Sequence, residues 1–229
     1  MFRKLFLCAL LAAGATLSFA KSHAGADFPD PAMTIPTANV HGPQTVVLAG
    51  GCFWGVQGVF ERVKGVTDVV AGYAGGSKST AQYETVSEGN TGHAESVKII
   101  YDPSQITFGQ LLKIYFSVVQ DPTELNRQGP DHGPQYRSVL FYANPQQKRV
   151  ATAYIAQLTA AKSFAAPIVT QVVPLTAFYT AEPYHQNYAA LHPDDGYIAY
   201  NDAPKVAHLK QLWPALYKPQ ESVVQVELH

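Results

Sequence analysis

Thr45-Val46-Val47-Leu48-Ala49-Gly50-Gly51-Cys52-Phe53-Trp54-Gly55 is the stretch on which the rest of the chain is read. A short apolar run ends in a glycine pair. A cysteine, two large aromatics and a third glycine follow, then a helix-like segment from Val56 to Lys64. The pattern predicts a strand over 45–49, a tight turn, and a helix from about 54 to 64, with Val56, Val59, Phe60 and Val63 on one face. Backbone N–H groups at a helix N-terminus favour negative charge, so a cysteine at this turn is expected to lean toward thiolate. The competing reading is a buried core cysteine, the commoner fate of a lone Cys.

Downstream, Val66 to Tyr73 reads as the next strand, closed by Gly75-Gly76. Residues 77–93 read as a long loop carrying a short element at Tyr83-Glu84-Thr85-Val86, and a loop of that length in a compact domain usually has a function. A strand is expected over Ala94 to Tyr101. Thr107 to Val119 places Phe108, Leu111, Leu112, Tyr115 and Phe116 at helical spacing. Asp121 to Gln135 is a second long loop, and Ser138 to Tyr142 a strand. Asn144 and Pro145 are the N-cap and first turn of a helix running to about Phe164. Two closing strands are expected at Thr170–Pro174 and Ala177–Thr180, then an aromatic-rich segment, Glu182 to Leu191. Residues from about 203 onward show no clear element. Short strands and long loops favour α+β over a doubly wound parallel sheet. The expected architecture is a two-layer α/β sandwich around a mixed sheet, ferredoxin-like, with extended termini. G-x-G-x-x-G and Walker patterns are absent, which removes the sequence case for a nucleotide site.

Upstream, Pro29, Pro31, Pro36 and Pro43 without apolar periodicity mark residues 21–44 as an extended linker or surface-hugging arm. Residues 1–20 carry Arg3 and Lys4, an apolar run from Leu5 to about Leu17, and small residues at Ser18 and Ala20. They read as a signal peptide cleaved after Ala20, and the run is short for a membrane span. Export, and a periplasmic location, are therefore expected. This leaves a catalytic domain over 45–216 and a C-terminal tail over 217–229. The 229 residues hold only Cys8 and Cys52. Cys8 leaves with the signal, so Cys52 stays as a lone thiol in an oxidising compartment, a liability unless buried or used. A formal charge of −1 gives no reason to expect nucleic acid or an anionic membrane as partner. A monomer is expected.

Chemistry-bearing residues gather in four patches: Gly51–Trp54, the Tyr83 loop, Thr91-Gly92-His93-Ala94-Glu95, and Asp131-His132-Gly133-Pro134-Gln135-Tyr136-Arg137. Tyr184-His185-Gln186-Asn187-Tyr188 is a weaker fifth. Glu95 opens an apolar strand. Facing inward, it would be held protonated by desolvation and serve as a general acid. The other reading is a solvent-facing residue opposite Val97 and Ile99. Three uses of the thiol stay open on residues alone. They are a Cys–His hydrolase pairing Cys52 with His93, His132 or His185, a metal site using the histidines with Asp131, and a redox enzyme passing through sulfenic acid. No H-x-x-x-H or C-x-x-C spacing supports the metal. A non-catalytic binding module with an aromatic pocket is a further alternative.

At these patches the sequence resembles the A-type peptide-methionine sulfoxide reductases. The resemblance rests on Gly51-Cys52-Phe53-Trp54-Gly55, Gly72-Tyr73-Ala74-Gly75-Gly76, Tyr83-Glu84-Thr85-Val86, Thr91-Gly92-His93-Ala94-Glu95 and Tyr101-Asp102-Pro103. It continues through Asp121-Pro122-Thr123, Asn126-Arg127-Gln128-Gly129, Asp131-His132-Gly133, Gln135-Tyr136-Arg137-Ser138 and Tyr184-His185-Gln186, in order across about residues 45 to 192. It implies that Cys52 attacks the sulfoxide sulfur, that Glu95 protonates the oxygen, and that Tyr83 and Tyr136 hydrogen-bond that oxygen. Asp131 would be a polar residue of the same site, and Phe53 with Trp54 the wall that receives the S-methyl group. The substrate would be the S epimer of methionine sulfoxide in oxidised proteins or peptides, and no bound cofactor is implied.

The chain departs from common members at Gln57 and Pro183, where acidic residues are frequent, and in having no cysteine after Cys52. A Cys52 sulfenic acid would then need an external thiol: a thioredoxin-like protein, glutaredoxin with glutathione, or a dithiol.

Overall fold

The structure, a computed structural model, describes residues 28–36, 40 and 42–220. The expected signal peptide lies outside the described residues, as do parts of the expected linker and the last nine residues of the tail.

The strand–turn–helix is present as β1 (Gln44–Ala49) and α1 (Phe53–Phe60). Helix α1 stops four residues short of the expected end. The N–H groups of Arg62 and Val63 turn back to carbonyls three residues earlier, and Gly65 at φ 83° then reverses the chain. Next come β2 (Val66–Ala74), the short α2 (Tyr83–Ser87) inside the long loop, and β3 (Ala94–Tyr101). Helix α3 (Phe108–Ile114) is opened by a Thr107–Gln110 capping box and runs on into a π turn over Tyr115–Val119. The second loop holds a two-stranded ribbon, β4 (Arg127–Gln128) and β5 (Asp131–His132). Beyond it lie β6 (Val139–Tyr142) and α4 (Pro145–Ala160), with Asn144 Oδ1 accepting from the Gln147 N–H at the N-cap. Strands β7 (Gln171–Pro174) and β8 (Phe178–Thr180) complete the sheet, and the short α5 (Tyr188–Leu191) follows.

The six-stranded sheet runs β7-β6-β1-β3-β2-β8. Every neighbouring pair is antiparallel except β6–β7, so the sheet is mixed, as expected. Alternation sorts the side chains. Val46, Leu48, Val69, Ala71, Tyr73, Val97 and Ile99 meet Val56, Phe60, Leu111, Phe116 and Tyr154 from the helices in one large core. Val47, Ala49, Ala74, Ala94, Val139 and Phe141 form a smaller cluster on the other face. Helices therefore flank a mixed sheet, an α+β arrangement.

Two segments behave differently from a featureless tail or tether. Residues 28–36 lie on α4 and α3: Phe28 is buried, Tyr154 Oη donates to the Pro29 carbonyl, and Asp30 pairs with Lys113 at 2.6 Å. The region from 203 onward, expected to lack an element, contains α6 (Ala203–Leu212). Its signal is thin because Leu209 is its one fully buried side chain, so the helix has little apolar face to display. Among the described residues no helix is long and apolar enough to cross a membrane.

Candidate active site

The β1–β3 register pairs Leu48 with Val97, which carries the turn at 50–52 past the open end of β3, beside Glu95. Gly51 makes the turn at φ 93°, and a Cβ there would lie 2.8 Å from the Gln128 side chain. Its N–H donates to the Tyr136 carbonyl at 3.1 Å, tying the turn to the loop that precedes β6. Cys52 is the N-cap of α1 and only 8% exposed.

That burial overturns the expected bias toward thiolate. Desolvation pushes the Cys52 thiol well above its ordinary value, and the Glu95 and Asp202 carboxyls push it further. The Trp54 N–H and the Lys205 ammonium oppose this without winning. A helix N-terminus stabilises a thiolate only while the sulfur keeps enough polar surroundings. Here the cost of removing charge from water is larger, and the resting group is a thiol.

Glu95 faces inward. Residues 95, 97 and 99 have the same parity on β3, so Glu95 lies on the face of Val97 and Ile99 rather than opposite them, and it is 2% exposed. Its Oε2 accepts from the Phe53 N–H at 3.0 Å. Burial pushes its pKa up to about 8, against that hydrogen bond and with help from Asp131 and Asp202. At neutral pH the group carries a proton, next to the residue that follows the thiol.

Aromatic residues build the walls. Phe53 is fully buried, 5.8 Å from the Tyr73 ring and 5.0 Å from the His185 ring. Trp54 is partly exposed and stacks on Tyr188 at 3.9 Å and 13°. The Tyr83 and Tyr136 hydroxyls are both held above the ordinary range, by burial first. Both then respond to Glu95 and to Cys52, so the two phenols share its surroundings. The backbone of Tyr83 is fixed by its N–H donating to Glu182 Oε1 at 2.9 Å, while Tyr73 Oη donates to the other oxygen at 2.8 Å. Asp131 accepts from Tyr197 Oη at 2.5 Å. The seven residues singled out in the sequence thus gather around one turn.

The three candidate histidines do not supply a base for Cys52. His93 Nδ1 accepts from the Gly76 N–H, which leaves Nε2–H to donate to the Ser77 carbonyl at 2.9 Å, a structural tie. His132 is exposed on β5. His185 lies against Phe53 and Tyr83, but its Nδ1 is taken by Trp54 Nε1–H at 3.2 Å, and burial lowers its pKa, so it is neutral. Among the described residues no three His, Cys, Asp or Glu side chains are grouped to hold a metal ion.

Sequence reading missed Glu182, Tyr197, Asp202 and Lys205, and held Tyr188 only in the weaker fifth patch. They come from the segment after β8 and from α6, where no periodicity drew attention. The one available signal was Tyr184-His185-Gln186. Gln186 fills a gap in β2–β8 by bonding the Ala71 N–H and carbonyl, and Gln57 accepts from the N–H of Asn187, so the segment is held against the sheet and α1.

The family model described as peptide methionine sulfoxide reductase matches residues 44–216. A curated relative, peptide methionine sulfoxide reductase MsrA 2 of Mesorhizobium japonicum, is 58% identical over 183 residues, covering 80% of this chain and 94% of the relative. The protein of the same name from Synechocystis is 47% identical, covering 84% and 91%. Among solved structures, Mxr1 from Saccharomyces cerevisiae in reduced form is 34% identical with a TM-score of 0.60, covering 68% of this chain and 88% of that one. Methionine sulfoxide reductase A of Corynebacterium diphtheriae is 32% identical with a TM-score of 0.58, covering 74% and 84%.

Proposed function

We propose how this pocket works from the premise that the chain belongs to the A-type peptide methionine sulfoxide reductase family. The enzyme reduces methionine-S-sulfoxide through its cysteine, with an external thiol as reductant. The observation that carries the assignment of roles is the buried, protonated Glu95 held by the N–H of the residue after Cys52.

A sulfoxide oxygen leaves poorly until it is protonated. In this reading Glu95 gives its proton to that oxygen, Tyr83 and Tyr136 donate hydrogen bonds to it, and Cys52 sulfur attacks the substrate sulfur. The thiol proton returns to the site, so the step balances as Cys52–SH plus sulfoxide giving Cys52–SOH plus thioether. Two equivalents of external thiol then return Cys52–SH, with one disulfide and one water released. Trp54, stacked on Tyr188, and the Phe53 floor receive the S-methyl group. An apolar contact for one methyl is worth about 1 kcal/mol, so specificity follows from where the oxygen must point more than from side-chain recognition. Asp131, bonded to Tyr197, closes the polar side. A thioredoxin-like protein, glutaredoxin with glutathione, or a dithiol fits the reductant's role, since no cysteine follows Cys52 in the sequence.

The order β6-β1-β3-β2 with all-antiparallel neighbours, and helices between β1 and β2 and between β3 and β6, supports a ferredoxin-like reading of the core. Residues 1–20 support export to the periplasm by their composition, and secreted protein beginning at Lys21 is the expected outcome of N-terminal sequencing.

Single turnover without reductant tests the chemistry. About one methionine per protein should form, with one sulfenic acid trapped by a dimedone-type probe. A Cys52→Ser variant that still makes methionine overturns the reading.

A further inference from the structure

Asp202 is 1% exposed at the end of a π turn (Ile198–Asp202) and immediately before α6. Its Oδ1 accepts from Lys205 Nζ at 3.0 Å, while Oδ2 is buried with no hydrogen-bond partner among the described residues. Both groups press on Gly55, the third residue after Cys52. A Cβ at that position would lie 2.0 Å from Asp202 Oδ1 and 2.9 Å from Lys205 Nζ. Glycine at 55 is therefore the residue that lets a carboxylate and an ammonium sit directly against the first turn of α1. Asp202 also lines a cavity of about 200 Å³ with Gly55, Gly58, Ala189, Ile198 and Val206.

A buried carboxylate is costly unless paired. Burial raises the Asp202 pKa, and the Lys205 ammonium draws it back. The other titratable groups around it are Cys52 at the start of α1, Glu61 and Arg62 just past its end, Glu95 from β3, Asp131 from β5, and Tyr197 just upstream. Arg62 and Glu61 lie at the far end of α1. The groups at the near end are acids, and Lys205 is the cation bonded to the carboxylate.

We propose that Asp202 and Lys205 are a positioning pair. Lys205 holds the Asp202 carboxylate ionised against the catalytic turn, and that fixed negative charge adds to the burial that keeps Glu95 and Cys52 protonated. The pair supplies no atom to the substrate. It acts on the two groups that do, keeping the acid loaded and the sulfur as a thiol until a sulfoxide binds. Glu95 and Cys52 both respond to Asp202 in the expected sense.

The inference rests on the reading of Glu95 as the acid, so the test has two readouts. The first is the pH dependence of Cys52 alkylation, which reads the thiol whether or not Glu95 is the acid of the reaction. The second is the basic limb of the single-turnover rate. In Asp202→Asn both midpoints should fall by about half a pH unit or more, because a negative charge has been removed. Lys205→Met should displace them as well, since both the ammonium and the ionisation of the carboxyl it holds are changed, and Lys205→Arg should restore them. Lys205 is partly exposed, so its variants keep the test available should Asp202→Asn fail to fold. Midpoints of folded Lys205→Met that superimpose on the parent's overturn the proposal. A shifted alkylation midpoint with an unmoved rate limb supports the pair and instead counts against Glu95 as the acid.

Discussion

The backbone N–H of Phe53 donates to Glu95 Oε2 at 3.0 Å, so the residue after the nucleophile holds the acid in place. A bond closed across 42 residues fixes the acid relative to the sulfur more firmly than either loop could alone. The same bond favours the charged carboxylate, yet burial wins and the proton stays.

Glu95→Gln keeps a hydrogen-bonding group but has no proton to deliver. Its sulfoxide-reduction step should slow by more than about tenfold in stopped or quenched single turnover. In the parent enzyme that step should decline above pH 8 as Glu95 ionises, and an unchanged rate for the variant across pH 6 to 8 removes Glu95 from the role.

Stability should show the same proton. The folded pKa of Glu95, about 8, lies above the ordinary 4.5, so the folded chain binds more protons between those values. Stability from this group is complete below the unfolded value and is lost as pH rises toward the folded one, by up to about 1.4 kcal/mol per pH unit. Urea unfolding at pH 5 and pH 8 should show this loss in the parent and a flatter dependence in Glu95→Gln.

Gly51→Ala should damage the turn itself. The residue holds φ 93°, and the added Cβ would meet Gln128 at 2.8 Å. A cost of about 2 kcal/mol is expected, read as a fall in Tm, together with loss of activity as Cys52 moves off the end of β1.

Trp54→Ala removes the stack on Tyr188 and the open wall of the pocket. KM for a peptidyl methionine sulfoxide should rise about tenfold with a smaller change in kcat, since methyl recognition is lost and the acid is untouched. Tyr188→Ala should reproduce part of that rise, because aromatic stacking is worth about 0.5–1.5 kcal/mol. Steady-state kinetics on both variants checks the order.

Much of the architecture was legible along the chain. The apolar runs in 45–49 and 94–101, the glycines at 50, 51, 75 and 76, and the Asn144-Pro145 start each state a local conformation. Helix α6 was not legible, because it buries one side chain and so has no face to repeat. For Glu95 the residues alone allow an inward and a solvent-facing reading, and packing places it on the buried face with Val97 and Ile99. The charge state of Cys52 was a different kind of failure. Its helix position favours a thiolate, but burial is a property of everything packed around it, and burial decided the outcome.

What the sequence by itself determined is which groups the chain offers: a thiol at a glycine turn, an acid at the head of an apolar strand, two tyrosines and an aromatic pair. Local conformation and the order of motifs are written in neighbouring residues, and a single chain suffices to read them. Only the tertiary structure decided how those groups are charged and held. His93 is tied to the Ser77 carbonyl, the thiol is too buried to ionise, and Asp202 and Lys205 arrive from some 150 residues away to press on Gly55. Desolvation and Coulomb forces depend on distance through space, and no window along the chain contains that distance.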